Sequence, residues 1–338
     1  MAHPIFCILI AFLFSVQIHE FAGYAGAQNV GVNYGRVADN LPLPPQVIDL
    51  YKSRNIQNIR IFDPQPDTLA ALQNSAIPVI IGVVNNDLPT LAADATAWVQ
   101  ANIVPYAVNV NFRCISVGNE VIPGELAVHI LPAMQSIQRA VAAANLLIPV
   151  STAVSQAVLG TSYPPSAGAW SAEAGPIIEP IVKFLQENKY PLLCNVYPYF
   201  AYVSDPEHIR LDYALLSSTE VIVVDGDFKY TNLLDAQVDA TYAALEKSGC
   251  NDVEIIVSET GWPSAGGDPA IASVINAQTY NNNVVARVKA GTGTPRRSGR
   301  VLQSYIFATF NENLKPAGIE QNFGLFNPDM TEVYHVNF

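Results

Sequence analysis

The chain has few of the residues on which disulfide-rich scaffolds and metalloenzymes depend. Its 338 residues include only four cysteines and five histidines. A core of this size needs no disulfide framework to be stable. Beyond residue 27 the histidines are His129, His208 and His335, which are scattered without the spacing of zinc ligands. We therefore expect no disulfide framework, no metal ion and no organic cofactor.

Three cysteines lie beyond the amino-terminal segment: Cys114, Cys194 and Cys250. This odd number permits either one disulfide and one thiol, or three thiols. Cys114 and Cys194 stand inside apolar strand-like runs, where a cysteine behaves as a small hydrophobic residue. We expect both to be buried and unreactive.

Positive charge is also scarce. Lys and Arg number 17 against 29 Asp and Glu, which gives a formal net charge of −12 at pH 7. Such an acidic chain is a poor partner for nucleic acid or for an anionic membrane surface, whereas a neutral polysaccharide is indifferent to the charge. No Asn-x-Ser/Thr sequence occurs, so we expect no N-linked glycan.

Long apolar runs are missing as well. The segment PIFCILIAFLFSV at 4–16 is too short to span a membrane, and no later run is long enough. Small residues, AGYAGA, follow it before Gln28, which is typical of a secretory signal with its cleavage site. We expect residues 1–27 to be removed, residues 28–338 to form a catalytic domain, and the product to be extracellular, in the apoplast or cell wall.

What remains is a regular alternation of short apolar runs and longer amphipathic ones, which is typical of strands and helices around a parallel sheet. Eight such units predict a closed (β/α)₈ TIM barrel, although an open doubly wound sheet fits the same pattern. No Gly-x-Gly-x-x-Gly turn follows the first strand. The predicted strands occupy 29–35, 58–63, 77–83, 114–120, 148–154, 191–199, 254–259 and 304–310.

The helix candidates between these strands include 91–106, 130–144, 176–189 and 233–249. A ninth strand-like run, 219–230, does not fit the eightfold pattern. We assign it to an inserted segment, 200–232, after the sixth strand, and expect a small subdomain over one rim of the barrel. The basic run TPRRSGR at 294–300 is predicted to be a solvated loop before the last strand.

Two of the predicted strands end in a glutamate, Glu120 in the fourth and Glu259 in the seventh. Charged residues often end strands simply because the strand has reached water. Barrel enzymes, however, carry their chemistry at the carboxyl ends of the strands. Strict alternation would place Glu120 on one face with Ser116, and Glu259 on one face with Val257. If those faces point inward, the two carboxylates meet at the mouth of the barrel.

Paired carboxylates are the usual machinery of glycoside hydrolysis. One protonates the glycosidic oxygen, and the other attacks the anomeric carbon or activates water. Other chemistries are poorly served, because the sequence has no Gly-x-Ser-x-Gly elbow and no phosphate-binding loop. Aromatic rings can pack on the flat faces of sugars, and four tyrosines and tryptophans follow strand ends. Either core packing or sugar contact would explain them: Tyr34, Tyr197, Tyr199 and Trp262.

Several longer motifs resemble one known family. IIVSETGWPSAG at 255–266 is similar to the signature of plant glucan endo-1,3-β-glucosidases, family 17 of the glycoside hydrolases. GVNYGRVADNLPLP near the start, IRIFDPQPDTLAAL, ISVGNEV, NVYPYF, FNENLKP and FGLFNPD also match. The resemblance covers residues 28–338 nearly end to end. It implies a (β/α)₈ barrel with a small subdomain beside the sixth strand.

The resemblance also implies roles for individual residues. Glu259 would be the nucleophile, and Glu120 the proton donor and later the general base. Asn119 would contact the sugar at the cleavage site, and Asn195 belongs to the matching NVYPYF motif. Three charged residues would stand beside the catalytic pair, either as a structural ion-pair set or in contact with sugar: Glu312, Lys315 and Glu320.

The implied activity is endo-hydrolysis of β-1,3-glucan with retention of configuration, by a secreted monomer. A mixed-linkage β-1,3-1,4-glucanase fits the same residues, because groove shape decides the difference. A glucan-binding protein without activity is a third reading, which the two intact glutamate motifs disfavour. The carboxyl-terminal extension of vacuolar relatives and a hydrophobic anchor tail have no counterpart here, which agrees with the expected secretion.

Overall fold

The computed structural model describes residues 29–338, and the predicted secretory segment at 1–27 lies outside the described residues. Eight parallel strands form a closed barrel, which confirms the predicted TIM-barrel fold and excludes the open sheet. Around the barrel the neighbours run β1-β12-β11-β8-β5-β4-β3-β2. These strands are β1 (Val30–Tyr34), β2 (Asn58–Ile61), β3 (Val79–Val83), β4 (Phe112–Asn119), β5 (Val150–Ser155), β8 (Leu192–Asn195), β11 (Ile255–Thr260) and β12 (Ser304–Ile306).

Four short strands form two antiparallel hairpins outside the barrel, β6 (Leu159–Thr161) with β7 (Ala169–Trp170), and β9 (Val223–Asp225) with β10 (Phe228–Tyr230). The helices pack around the barrel or cover its connections. They are α1 (Pro44–Ser53), α2 (Pro66–Leu72), α3 (Leu88–Ala93), α4 (Thr96–Asn102), α5 (Ile130–Ala143), α6 (Gly175–Asn188), α7 (Pro198–Ser204), α8 (Leu211–Ala214), α9 (Leu233–Lys247) and α10 (Val274–Ala290).

Side chains fill the inside of the barrel, as is usual for this fold. One buried cluster takes a residue from each of six strands: Ile80, Cys114, Ala153, Leu193, Ile256 and Tyr305. Their sequence neighbours, such as Val79 and Ile81, belong instead to the large core between sheet and helices. A Cβ on Gly31 would lie 2.3 Å from the Tyr305 ring, so this glycine makes room for the tyrosine inside the barrel.

The helix predicted over 91–106 is wrong in its extent. The structure has two short helices there, α3 and α4, separated at Asp94. Asp94 has extended backbone angles, and its carboxylate accepts a hydrogen bond of 2.8 Å from the backbone N–H of Thr96. Such local side-chain bonds compete with a continuous helix.

The ninth strand-like run is a hairpin rather than one strand. It folds back at Gly226, whose φ of +59° suits glycine, so that β9 pairs with β10. Tyr213 and Tyr230 form a small buried cluster with Ala236 of α9. The hairpin therefore packs against the outer side of α9. That segment 200–232 forms a subdomain of its own stays a prediction.

The basic run at 294–300 is solvated only at residues 298–300, and not over its whole length as we predicted. Arg296 and Arg297 are only 12% and 18% exposed, and both pair with Glu246 of α9 at 2.7 Å. The Arg296 guanidinium also lies over the Phe228 ring of β10, and that of Arg297 over the Tyr242 ring. The sequence pattern could not show these partners, which fasten the loop to α9 and to the hairpin.

The cysteine prediction is confirmed, since Cys114, Cys194 and Cys250 are all buried thiols without a disulfide. Burial raises the pKa of the Cys114 thiol to about 12, which keeps it protonated and unreactive. Among the helices of residues 29–338, none has the length and hydropathy that crossing a bilayer requires.

Candidate active site

The fourth strand delivers two neighbouring side chains to the mouth of the barrel. Asn119 ends β4, and Glu120 follows it with a φ of +54°. Gly118 has a φ of +76°, and the pairing of β4 with β5 shifts register between Ser116 and Asn119. Our prediction that strict alternation along β4 brings Glu120 to the mouth is therefore wrong. A bulge, rather than an unbroken strand, turns Glu120 toward the site.

The seventh barrel strand contains a similar irregularity. Regular alternation would place Ile255 and Val257 on the same face as Glu259, which we expected to point into the barrel. In the structure both residues face the core between the sheet and the helices. The register against β8 shifts between Val257 and Glu259. Because of this shift, Ser258 and Glu259 both reach the polar cluster inside the mouth, where Ser258 Oγ donates to Asn195 Oδ1 at 2.8 Å.

Glu259 is buried and held by two donors. Arg60 Nη1 lies 2.7 Å from Glu259 Oε1, in an ion pair whose side chains are 1% and 8% exposed. The hydroxyl of Tyr197 donates to Glu259 Oε2 at 2.8 Å. Hydrogen bonds to the ionised form and a fixed positive charge both favour a carboxylate over the neutral acid. Glu259 has a donor on each of its two carboxylate oxygens, which fixes the orientation of the side chain.

Glu120 occupies a different environment. The residue borders the open cleft with part of its surface exposed, while its carboxylate lies against protein atoms. The neutral amide of Asn195 donates from Nδ2 to Glu120 Oε1 at 2.8 Å. Desolvation by the protein atoms that crowd around the carboxylate raises the pKa of Glu120, and the negative charge of Glu259 raises it further. Arg60 and the Asn195 bond oppose the shift without cancelling it. A raised pKa suits a proton donor.

Asn195 and Arg60 connect the two carboxylates. Asn195 Nδ2 donates to Glu120 and also to Asn119 Oδ1 at 3.1 Å, while its Oδ1 accepts from Arg60 Nη1 at 3.2 Å. Arg60 Nη2 donates to Asn119 Oδ1 at 2.7 Å. The structure thus brings together five of the predicted site residues: Glu120, Glu259, Asn119, Asn195 and Tyr197.

Arg60 is a site residue that the sequence reasoning missed. It lies on β2 and points into the barrel mouth, with its guanidinium carbon 4.8 Å from the centre of the Phe62 ring. A lone arginine within the apolar run IRIF at 59–62 was a usable signal. A buried charge is costly without a partner, so such a residue predicts a carboxylate elsewhere in the fold.

The charged set of the carboxyl-terminal region lies close by. Glu312 is buried, accepts from the backbone N–H of Val37 at 2.7 Å, and pairs with Lys315 at 3.2 Å. Lys315 Nζ lies 4.1 Å from the centre of the Phe307 ring, and that ring packs edge-on against Tyr197. Glu320 is half-buried, and its negative charge contributes to the raised pKa of Glu120.

Of the four aromatic residues for which either core packing or sugar contact was expected, three pack in the core. Tyr34, Tyr199 and Trp262 are 2%, 4% and 0% exposed. Tyr34 belongs to the core between sheet and helices, and Trp262 packs edge-on against Tyr199 while its ring N–H donates to the backbone of Ile271. Strand ends do carry aromatics to the rim, but those on the outer face of the sheet turn into the helix layer.

Other aromatic residues surround Tyr197 at the mouth. Phe307 and Phe323 form a buried cluster, against which Phe62 and Tyr197 pack from the half-exposed side. Phe200, at the start of α7, is 43% exposed, and its ring centre lies 5.3 Å from that of Tyr197. Of these rings, that of Phe200 is exposed and those of Phe62 and Tyr197 are partly exposed. Within residues 29–338 no three His, Cys, Asp or Glu side chains come together as metal ligands would.

The sequence matches the profile described as "Glycosyl hydrolases family 17" over residues 30–338. A glucan endo-1,3-β-glucosidase of Vitis vinifera is 51% identical over 323 residues, which cover 93% of this chain and 92% of the relative. A Hordeum vulgare protein whose name places it among the same glucosidases is 53% identical over 319 residues, covering 93% of this chain and 98% of its own.

Solved structures give the same picture. A structure from a study of two plant β-glucan endohydrolases with distinct substrate specificities is 43% identical, with a TM-score of 0.87, over 91% of this chain and all of the other. The β-1,3-glucanase and pollen allergen of Cryptomeria japonica is 46% identical, with a TM-score of 0.89, over 92% of this chain and 99% of the other. Both similarities extend across the whole barrel.

Proposed function

The chain belongs to family 17 of the glycosyl hydrolases and is a glycoside hydrolase, and we propose that it cleaves internal β-1,3-glucosidic bonds of β-glucans with retention of configuration. The names of the relatives support β-1,3-glucan as the substrate, because they describe a glucan endo-1,3-β-glucosidase and a β-1,3-glucanase. The uncharged polysaccharide also agrees with the acidic composition of the chain.

The observation that carries the mechanism is the difference between the two carboxylates. Glu259 is buried, pairs with Arg60 and accepts a hydrogen bond from Tyr197, so the protein supplies donors to both of its oxygens. Glu120 is open to the cleft, bonded by a neutral amide, and has a raised pKa. A retaining glycosidase needs these two roles, an ionised nucleophile and a protonated acid, from two side chains of the same chemical type.

In the first step, Glu259 attacks the anomeric carbon while Glu120 donates its proton to the departing glycosidic oxygen. The carbon–oxygen bond breaks with its electron pair moving to that oxygen, and a glycosyl ester forms on Glu259. In the second step, Glu120, now a carboxylate, takes a proton from water, which attacks the anomeric carbon and releases Glu259. Asn195 donates a hydrogen bond to Glu120 and another to Asn119, whose side chain lies where the sugar would bind.

The substrate is tested by the release of reducing ends from linear β-1,3-glucan and from mixed-linkage β-1,3-1,4-glucan. We expect hydrolysis of the linear glucan, with a fall in viscosity that outpaces reducing-end release, as internal cleavage requires. Faster cleavage of the mixed-linkage glucan would contradict the proposed linkage preference. Activity on neither glucan, from folded enzyme, would point to a binding protein.

The roles of the two glutamates are tested by azide rescue on a β-glycosyl fluoride. Glu259→Ala opens the face opposite the leaving group, so azide should give the inverted α-azide. Glu120→Ala keeps the nucleophile, so azide should attack the covalent intermediate and give the retained β-azide. Proton NMR of the products distinguishes the two configurations. The opposite pattern would reverse the assignment, and α-configured products from the wild-type enzyme would exclude retention.

We further propose that the enzyme is secreted as a monomer, with residues 1–27 as the signal and an extracellular site of action. The short apolar run and the small residues before Gln28 support this. The intact mass of the secreted protein tests it, because a chain that retains residues before Gln28 would contradict the predicted cleavage site.

A further inference from the structure

We propose that Asn85 positions the general acid/base Glu120 by taking the place of a missing strand residue beside the end of β4. This inference rests on the proposed function for its catalytic consequence, while its structural part can be tested separately. Asn85 lies in a short 3₁₀ turn after β3, at the start of the β3–α3 connection.

The end of β4 extends beyond its neighbour. On one side, β3 pairs with β4 only as far as Val83 with Val117, and β3 ends there. On the other side, β5 continues, and the backbone N–H of Glu120 donates to the carbonyl of Ala153 at 2.9 Å. The backbone of Asn119 therefore lacks a strand partner on the β3 side.

Asn85 supplies that partner through its side chain. Its Oδ1 accepts from the backbone N–H of Asn119 at 2.8 Å, and its Nδ2 donates to the backbone carbonyl of Asn119 at 3.0 Å. A carboxamide has the same donor and acceptor as a peptide group, so the pair of bonds reproduces a strand contact. Asparagine is suited to this role, because serine, alanine and aspartate each lack either the length or one of the two functions.

The position of this contact is what connects it to catalysis. Asn119 lies between Gly118 and Glu120, which both have positive φ angles, and backbone in such sparsely populated conformations persists only when its surroundings hold it. The two Asn85 bonds fix the peptide groups on either side of Asn119. They thereby fix the direction in which Glu120 leaves the backbone toward Asn195. Displacements of about 1 Å at a reacting group can cost on the order of 10²-fold in rate.

Asn85→Ala removes both bonds, and its neighbour Asn86 offers a matched control. Asn86 is exposed in the same 3₁₀ turn, and its side chain makes none of the contacts described for Asn85. We expect Asn85→Ala to lower kcat/KM on β-1,3-glucan by about 10- to 100-fold, a part of what a general acid supplies. The second substrate is a β-1,3-linked gluco-oligosaccharide with a dinitrophenyl leaving group. On this substrate kcat/KM should change less than about threefold, because that leaving group departs without a proton. Asn86→Ala should match the wild type on both substrates.

The pH profile separates positioning from a general weakening of the fold. In Asn85→Ala the Glu120 carboxylate would be better solvated, which should lower its pKa. The basic limb of the pH profile of kcat/KM should therefore move to lower pH. Equal losses on both substrates with an unmoved basic limb would show that Asn85 is only structural. Wild-type kinetics in Asn85→Ala would also overturn the proposal.

Asn85→Asp provides a second test if the alanine variant does not fold. The aspartate keeps the acceptor for the Asn119 N–H but, when ionised, places an oxygen against the Asn119 carbonyl. We therefore expect the same loss of kcat/KM on β-1,3-glucan while the aspartate is ionised. The loss should diminish as the aspartate is protonated. Crystal structures of the wild type and of Asn85→Ala test the positioning without any substrate. If Glu120 keeps its bond to Asn195 in the variant, the proposal is wrong. If Glu120 moves but the wild type cleaves no β-1,3-glucan, the proposed function fails and the positioning role stands.

Discussion

At the scale of single residues, Arg60 shows how one buried charge organises the site. It donates to Asn119, Asn195 and Glu259, and to the backbone carbonyl of Ser258 at 2.9 Å. These bonds reach β4, β8 and β11 from β2, so one guanidinium connects strands across the barrel mouth. Its planar set of donors suits several acceptors at once, which a lysine in its place could not match.

Arg60→Met is expected to damage both activity and stability. It would leave the Glu259 carboxylate buried without its cation, and the loss of one partner of a buried ion pair typically costs about 3–5 kcal/mol. We expect kcat/KM on β-1,3-glucan to fall by about 100-fold or more, and the melting temperature to fall as well. Steady-state kinetics and thermal unfolding measure the two effects.

Arg36→Met is the matched control for Arg60→Met. Arg36 pairs with Asp67 at 2.6 Å, but the two side chains are 32% and 51% exposed. Exposed ion pairs contribute about 0–1 kcal/mol, so this variant should stay near the wild type in activity and stability. An Arg60→Met enzyme within threefold of the wild type would show that Glu259 does not depend on the pair.

At the scale of elements, irregularities in two strands decide which side chains reach the substrate. β4 and β11 each break their register shortly before their glutamate. In both strands two consecutive residues then point into the mouth, which a regular strand forbids because its side chains alternate. The bulges therefore determine where the two glutamates lie, and the residues that permit the bulges should matter for the proposed activity.

Gly118→Ala tests the bulge in β4. An alanine at a φ of +76° is strained, and its Cβ would lie 3.0 Å from Val121 Cγ2 and 3.3 Å from Leu88 Cδ1. We expect a stability loss of about 1–2 kcal/mol from the backbone alone, together with a fall in kcat/KM of about tenfold or more because Glu120 is displaced. Kinetics at a temperature well below unfolding separate the two effects.

Gly226→Ala controls for the backbone strain in that experiment. Gly226 also has a positive φ, +59°, but it lies in the β9–β10 turn and has no atoms within 4 Å of an added Cβ. This variant should lose similar stability and keep its activity. If Gly118→Ala were likewise fully active, the bulge would tolerate a side chain and the argument from its geometry would fail.

At the scale of the whole molecule, a buried polar network fastens the outer elements together. Asp239 of α9 is fully buried and accepts from the backbone N–H of Arg296 at 2.9 Å. Nearby, Arg287 of α10 pairs with Asp235 of α9 at 3.0 Å. The segment around 294–297, the β9–β10 hairpin and α9 are thus held by charged groups away from the catalytic cleft.

This network predicts a pH-dependent stability. Burial raises the pKa of Asp239 to about 6 from an ordinary value of 3.8. Ionisation of Asp239 is therefore less favourable in the folded state than in the unfolded state, and it lowers the stability of the fold. This loss of stability is absent below pH 3.8, where both states are protonated, and complete above pH 6, where both are ionised. Asp239→Asn keeps an acceptor for Arg296 and removes the penalty. We expect it to stabilise the protein by about 1–3 kcal/mol at pH 8 and to have little effect at pH 4.

Thermal unfolding at both pH values measures this effect, and Asp94→Asn is the control. Asp94 is exposed, and its bonds with Thr96 lower the pKa of its carboxyl group. Its stabilising contribution is present at neutral pH and lost as the pH falls, so Asp94→Asn should show no gain at pH 8. If Asp239→Asn is not more stable than the wild type at pH 8, the carboxylate is not under strain there.

The sequence by itself determined the alternation of strands and helices and the two glutamates at the ends of the fourth and seventh barrel strands, while the closed barrel was implied by the family motifs and not by the pattern alone. These features follow from local patterns, since hydrophobic periodicity and strand ends can be read without knowing what lies opposite. The family motifs carried the same information along nearly the whole described chain. The lone arginine in β2 was also visible in the sequence, although its partners were not.

Only the tertiary structure decided how those residues face one another. The bulges that turn Glu120 and Glu259 inward depend on register against neighbouring strands, which periodicity does not contain. The same holds for Tyr34 and Trp262, because an aromatic near a strand end enters the mouth or the core according to the face it occupies. The raised pKa of Glu120 likewise depends on burial by the folded chain and on the charge of Glu259, which is distant from it in the chain. Arg60 lies 199 residues from Glu259, and only folding brings its charge to that carboxylate.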